Sequence, residues 1–159
     1  MAGYSPRSLV EKLGIKEGDN LLFVQAPADF KKTLGPLPEV SLSLATSPAG
    51  SNPLSLASLK TFAKKSPFDF IHAFCREEAE LVKWFSILKS LLAPHGMLWI
   101  SWPKGKSAKS SKAGAHRPFN ETPVREIGLA GGLVDVKVCA VDETWSGLKF
   151  MFRRKDRPK

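Results

Sequence analysis

Phe68-Asp69-Phe70-Ile71-His72-Ala73-Phe74-Cys75 and Met97-Leu98-Trp99-Ile100-Ser101-Trp102 are two apolar runs of strand length. Between them, Glu77, Glu78 and Glu80 open a segment in which Leu81, Trp84/Phe85, Leu88 and Leu91/Leu92 recur at helical spacing. Acids in the first turn suit the positive end of a helix dipole. Pro94-His95-Gly96 is expected to stop that helix. A continuous apolar run reads as a strand buried on both faces, and a strand–helix–strand unit of this kind implies parallel pairing.

The same rhythm extends in both directions. Upstream, Ser5 is expected to cap a short helix with Pro6 in its first position and Gly14 as its stop. Asn20 to Ala26 reads as a buried strand closed by Pro27, and Ala28 to Leu34 as a brief helix ended by Gly35-Pro36-Leu37-Pro38. Val40 to Ala45 alternates serine with apolar residues, as a further strand would. Leu54 to Lys65 has helical spacing. Downstream, Asn120 is expected to cap a helix to about Ala130, ended by Gly131-Gly132. Val134 to Val141 and Leu148 to Arg153 then alternate around a turn at 142–147, which reads as a hairpin. The expected fold is one three-layer α/β domain over 1–159, Rossmann-like. Its mostly parallel sheet has about six strands, helices on both faces and an antiparallel C-terminal hairpin.

Composition narrows the function classes. The chain has 159 residues, 43% of them hydrophobic, and a formal net charge of +9. The loop 104–117 holds Lys104, Lys106, Lys109, Lys112 and Arg117 with no acid, and reads as flexible. Lys149 to Lys159, including Arg153, Arg154 and the basic tail 154–159, holds six bases against Asp156. The remaining body is near neutral. Such segments suit an anionic partner, nucleic acid included, although solvated ends are the plainer reading. Cys75 and Cys139 lie inside strand-like runs with no ligating cluster, so buried thiols are expected and no metal. No apolar run is long enough to span a bilayer. Met1 to Lys12 has no hydrophobic signal core, so the expected location is cytoplasmic, with no membrane contact.

The element order resembles the class I, S-adenosylmethionine-dependent methyltransferases. Phe68-Asp69-Phe70-Ile71, a helix, then Leu91-Leu92-Ala93-Pro94-His95-Gly96-Met97-Leu98 is similar to that superfamily's FD-hydrophobic strand followed by L-L-x-P-G-G-x-L. A closer likeness is to a small bacterial family of unknown function. It runs through Lys12-Leu13-Gly14-Ile15-Lys16, Leu34-Gly35-Pro36-Leu37-Pro38, Trp102-Pro103-Lys104 and above all 125–150. That likeness implies a fold and a bacterial cytoplasmic origin, and brings no activity.

Departures from the methyltransferase pattern are as informative. The superfamily's first strand ends in a glycine-rich loop where the cofactor approaches the backbone. Here Val24-Gln25-Ala26-Pro27-Ala28-Asp29-Phe30 has no glycine, and Pro27 removes a donor. The acid expected after the second strand is replaced by Ala45-Thr46-Ser47. Where amino-methylating members place Asn/Asp-Pro-Pro-aromatic, this chain has Phe74-Cys75-Arg76-Glu77. It also reads as one strand–helix unit short. These losses predict no cofactor, with S-adenosylmethionine disfavoured in its usual pose.

In an open parallel sheet, ligands bind beyond the strands' carboxyl ends near the topological switch. The candidate cleft residues are therefore Gln25, Ala26, Arg76, Trp102, Lys104 and Trp145. Arg76 and Lys104 suit an anion, and Trp102 suits stacking, against plain readings as a solvated and a core-capping residue. Trp145 is expected on the hairpin turn, folded back on the core or in contact with a partner. His72 reads as a half-buried, hydrogen-bonded residue, and Asp142-Glu143 as turn formers. No catalytic set is legible. The expected function is a non-catalytic ligand- or partner-binding module; the alternatives are an unorthodox S-adenosylmethionine- or nucleotide-dependent enzyme and nucleic-acid binding through loop and tail.

Overall fold

The computed structural model describes residues 8–46, 55–104 and 119–156. Its order is α1 (Leu9–Leu13), β1 (Asn20–Val24), α2 (Phe30–Leu34), β2 (Ser41–Ala45), α3 (Leu56–Lys60) running into a 3-10 turn (Thr61–Lys65), then β3 (Phe68–Phe74). There follow α4 (Glu78–Leu91), β4 (Leu92–Pro103), α5 (Glu121–Ala130), β5 (Leu133–Ala140), β6 (Trp145–Phe152) and a 3-10 turn at Arg154–Asp156. The strands form one sheet in the order β2-β1-β3-β4-β6-β5. The pairs β1–β2, β1–β3 and β3–β4 are parallel, and β6 lies antiparallel to both β4 and β5. The mostly parallel sheet with a closing hairpin is the architecture expected from the sequence.

Local chemistry sets several boundaries. The Ser8 side chain, rather than Ser5, caps α1: its Oγ accepts from Glu11 N at 3.2 Å and Glu11 Oε1 accepts from Ser8 N at 3.1 Å. The serine followed three residues later by glutamate makes that reciprocal box, and Ser5 lies outside the described residues. Gly14 closes the helix at φ 90. Asn20 ties the starts of β1 and β3 together. Its N donates to Asp69 Oδ2 at 2.8 Å, and its Nδ2 donates to the carbonyls of Lys65 and Pro67. Asn120 caps α5 as expected, accepting from Thr122 N.

Three expectations change. Pro94-His95-Gly96 lies inside β4, which starts directly after α4 at Leu92. The pairing steps from Phe68↔Leu92 to Phe70↔Met97, so these residues form an irregularity in the strand. A Cβ on Gly96 would come within 2.8 Å of the Phe68 carbonyl oxygen, which is why glycine sits there. The α3 segment is shorter than expected, tightening to 3-10 from Thr61. Trp145 is the first residue of β6, paired with Pro103, and not a turn residue.

Two apolar clusters sandwich the sheet. On one face α3, α4 and α5 pack Leu59, Trp84, Leu88 and Val124 against Ile71, Ile100 and Phe150. On the other, α1 and α2 pack Leu13, Phe30 and Leu34 against Phe23, Phe70 and Trp99. Trp99 Nε1 donates to the Leu13 carbonyl at 2.9 Å and fastens α1 to the sheet. Cys75 and Cys139 are free and buried. Among the described residues no helix is long and apolar enough to cross a membrane.

Candidate functional site

β1 connects to β2 on one side while the chain returns to place β3 on the other, so the topological switch lies between β1 and β3. Ligands of open α/β sheets bind outside the carboxyl ends of the strands at this point. Gln25 is the first residue beyond β1, and its φ is 55. That is the left-handed region, which glycine enters freely and other residues enter at a cost of about 1–3 kcal/mol. The turn that the sequence deprives of glycine therefore still adopts a glycine-like conformation.

Contacts around Gln25 hold it there. Its N donates to Ala45 O at 2.8 Å. Its Nε2 reaches Phe74 O at 3.3 Å and Glu80 Oε2 at 3.4 Å. The other Glu80 oxygen accepts from Arg76 N at 2.7 Å. The Glu80 carboxylate, from the first turn of α4, thus spans the ends of β1 and β3. Burial first, and the nearby Glu80 charge second, push the Cys75 thiol well above its ordinary range. Cys75 is therefore a poor nucleophile. The Cys75 N donates to Ser101 O and continues the β3–β4 pairing one residue past β3.

The far rim is aromatic. The Arg76 guanidinium lies 5.7 Å from the Trp145 ring centroid, and Trp145 meets Phe74 edge-on at 5.1 Å. Trp145 is buried, folded back on the core. Asp142 Oδ1 accepts from Thr144 N and Trp145 N at 2.7 and 2.8 Å, so this carboxylate shapes the turn. Lys104 N donates to Thr144 O and ties the end of β4 to that turn.

Gln25, Arg76 and Trp145 are thus brought together by one carboxylate and one ring. Trp102 is 5% exposed and belongs to the α3–α4–α5 face, opposite the face that holds Trp145. It is a core side chain paired with Ser146, whereas Trp145 pairs with Pro103 at the next register position and so faces the other side of the sheet. Ala26 points to the α2 side, lining an apolar cavity of about 280 Å³ with Phe23, Phe30, Leu34, Leu42 and Leu44. Of the basic residues, Arg153 and Arg154 are exposed just beyond β6, whereas Lys106, Lys109, Lys112 and Arg117 lie outside the described residues. Glu80 was legible in the sequence only as a helix-dipole acid. Its four-residue distance from Arg76 was the signal that could have placed it at the crevice.

Substitutions at Gln25 separate strain from bonding. Gln25→Ala loses the amide contacts and keeps the backbone cost, whereas Gln25→Gly loses the contacts and relieves it. Gln25→Gly is expected to be more stable than Gln25→Ala by about 1 kcal/mol in urea unfolding. Equal stability would mean that residue 25 is not left-handed.

A scan against protein-family models finds no match, and a search of curated proteins finds none either. Solved structures do match. An S-adenosylmethionine-dependent methyltransferase from Aquifex aeolicus aligns with 91% of this chain and 88% of its own at 19% identity, with a TM-score of 0.54. Magnesium protoporphyrin IX methyltransferase from Synechocystis PCC 6803, with bound S-adenosylmethionine, aligns with 91% of this chain and 74% of its own at 14% identity and a TM-score of 0.57. The fibrillarin pre-rRNA processing protein of Methanococcus jannaschii covers 91% and 73% at 13% identity and a TM-score of 0.56. At these identities the likeness establishes the fold: a Rossmann-like, class I methyltransferase-like α/β fold.

Proposed function

We propose that this chain is a ligand- or partner-binding module on a methyltransferase-like scaffold and does not transfer methyl groups. The observation behind this reading is the Glu80 carboxylate, which accepts from Gln25 Nε2 and Arg76 N across the crevice. In this crevice S-adenosylmethionine would meet the Gln25 side chain, which Glu80 holds where glycine usually leaves space, and would find no amide donor on Pro27. A protein surface or another anionic partner, met away from the crevice, is the class of partner that suits the remaining surface. A bacterial cytoplasmic setting goes with this reading.

Calorimetric titration with S-adenosylmethionine and S-adenosylhomocysteine tests it. No heat is expected at protein concentrations that would reveal low-micromolar binding. Clear binding in that range would overturn the reading and send the search to methyl acceptors.

A second reading is an unorthodox S-adenosylmethionine- or nucleotide-dependent enzyme. It is favoured by the fold neighbours, one of which holds S-adenosylmethionine itself. The same titration separates the two. Nucleic-acid binding through the basic loop and tail is a third reading. It draws on the clustered charge and on a fold neighbour described as a pre-rRNA processing protein.

A further inference from the structure

The two edges of the sheet differ in kind. β5 is an edge strand that carries Asp135 and Lys137, with a register shift between them. Charges and bulges are how edge strands avoid pairing with other chains. β2 is the opposite edge. It reads Ser41-Leu42-Ser43-Leu44-Ala45, with no charge, no proline and an unbroken register against β1.

Its hydrogen bonds show which groups face outward. Ser41 N donates to Asp19 O, and Ala45 O accepts from Gln25 N. In a parallel ladder, bonding to one neighbour alternates along the strand. Ser41, Ser43 and Ala45 therefore bond to β1, while the main-chain groups of Leu42 and Leu44 face away from it. No described residue pairs with them. The side chains of Leu42 and Leu44 are 37% and 49% exposed and line the apolar cavity beside Phe23 and Phe30.

We propose that β2 pairs antiparallel with β2 of a second copy of this chain, about a two-fold axis at Ser43. The strand's own pattern selects this occupant. Reversed about Ser43, Leu42 falls opposite the partner's Leu44, and Leu44 opposite the partner's Leu42. Those are the residues whose N–H and C=O groups point outward, so each leucine pair exchanges two hydrogen bonds and Ser43 forms the central non-bonded pair. All four leucine side chains then lie on one face, over the two apolar cavities. A two-fold interface requires such self-complementarity. A one-residue slip would set each leucine opposite a serine and leave the leucines of the two copies on opposite faces of the sheet. The proposal does not depend on whether the crevice at β1 and β3 takes a cofactor.

Sedimentation of the full chain over a range of concentrations, with Ser43→Cys and Leu44→Lys variants, tests this. The wild type is expected to be a dimer. Leu44→Lys sets two charges into the apolar seam and is expected to weaken it by roughly tenfold or more, with an unchanged circular dichroism spectrum. Ser43→Cys is expected to form an intermolecular disulfide under mild oxidation, because a central non-bonded pair brings its Cα atoms to about 4.5 Å. Leu42→Cys, which faces the partner's Leu44, is expected to crosslink far less. A wild type that stays monomeric at every concentration overturns the proposal and leaves the edge for a foreign strand. A dimer that neither variant perturbs nor crosslinks overturns it too, by placing the interface elsewhere.

Discussion

Gly128→Ala is expected to destabilise the fold by about 1–3 kcal/mol, although alanine is the better helix former by about 1 kcal/mol. Gly128 lies within α5, and a Cβ there would come to 2.0 Å from Cε1 and 2.3 Å from Cζ of Phe150. Phe150 is fully buried in β6 and meets Phe85 edge-on at 6.2 Å, so its ring has nowhere to retreat. The clash therefore outweighs the propensity gain, and the helix must lift from the sheet. Urea unfolding should show the loss in the midpoint, and melting should fall by about 2–4 °C for each kcal/mol lost. Combining Gly128→Ala with Phe150→Leu should cost less than the two changes added, by roughly 1 kcal/mol, because the smaller side chain makes room. An alanine variant as stable as the wild type would show that α5 does not sit this close to β6.

The second large effect is a pH dependence set by His72. The ring is fully buried. It stacks on Phe74 at 4.2 Å and 20°, and stands edge-on to Phe30 at 5.5 Å. Its Nε2 lies 2.7 Å from Ser101 Oγ, and its Nδ1 has no partner among the described residues. Burial lowers its pKa from 6.5 to about 3. The folded state thus keeps His72 neutral while the unfolded chain takes up a proton below pH 6.5. Above that value both states are neutral and the group contributes nothing to the pH dependence. As pH falls from 6.5 toward 3, the unfolded state binds more protons and stability drops, by up to about 1.4 kcal/mol per pH unit and about 4–5 kcal/mol in total.

His72→Phe with Ser101→Ala replaces both members of the polar pair by apolar ones, which is close to neutral at pH 7. Its stability curve should be flatter than the wild type's between pH 6.5 and 3, and the two should run parallel above pH 6.5. Parallel curves through the acid range would mean that His72 is protonated in the folded state or accessible to water.

Much of the fold is legible in the sequence. The runs 68–75 and 97–102 around one amphipathic helix announce a parallel β–α–β unit, because side-chain periodicity is a local property of the chain. The cap at Asn120 and the glycines at 131–132 bracket α5 for the same reason. The crevice was only partly legible. The absence of glycine from 24–30 can be read directly. That Gln25 nevertheless turns left-handed, and that Glu80 reaches across to it, depends on β1 and β3 lying side by side. The burial of Trp102 and Trp145 on opposite faces was likewise hidden, because it is set by the register of β4 against β6.

By itself, the sequence determined the order and type of the elements, the mostly parallel character of the sheet and the absence of glycine from the turn after the first strand. All of these are written in residues near one another in the chain. Only the tertiary structure decided which side chains share the switch-point crevice, which aromatic rings become core, and which sheet edge has no partner strand among the described residues. Those outcomes come from contacts between residues 29 to 86 positions apart, such as Trp99 with Leu13, Gln25 with Glu80 and His72 with Ser101. Strand order brings those partners together, and no local pattern records it.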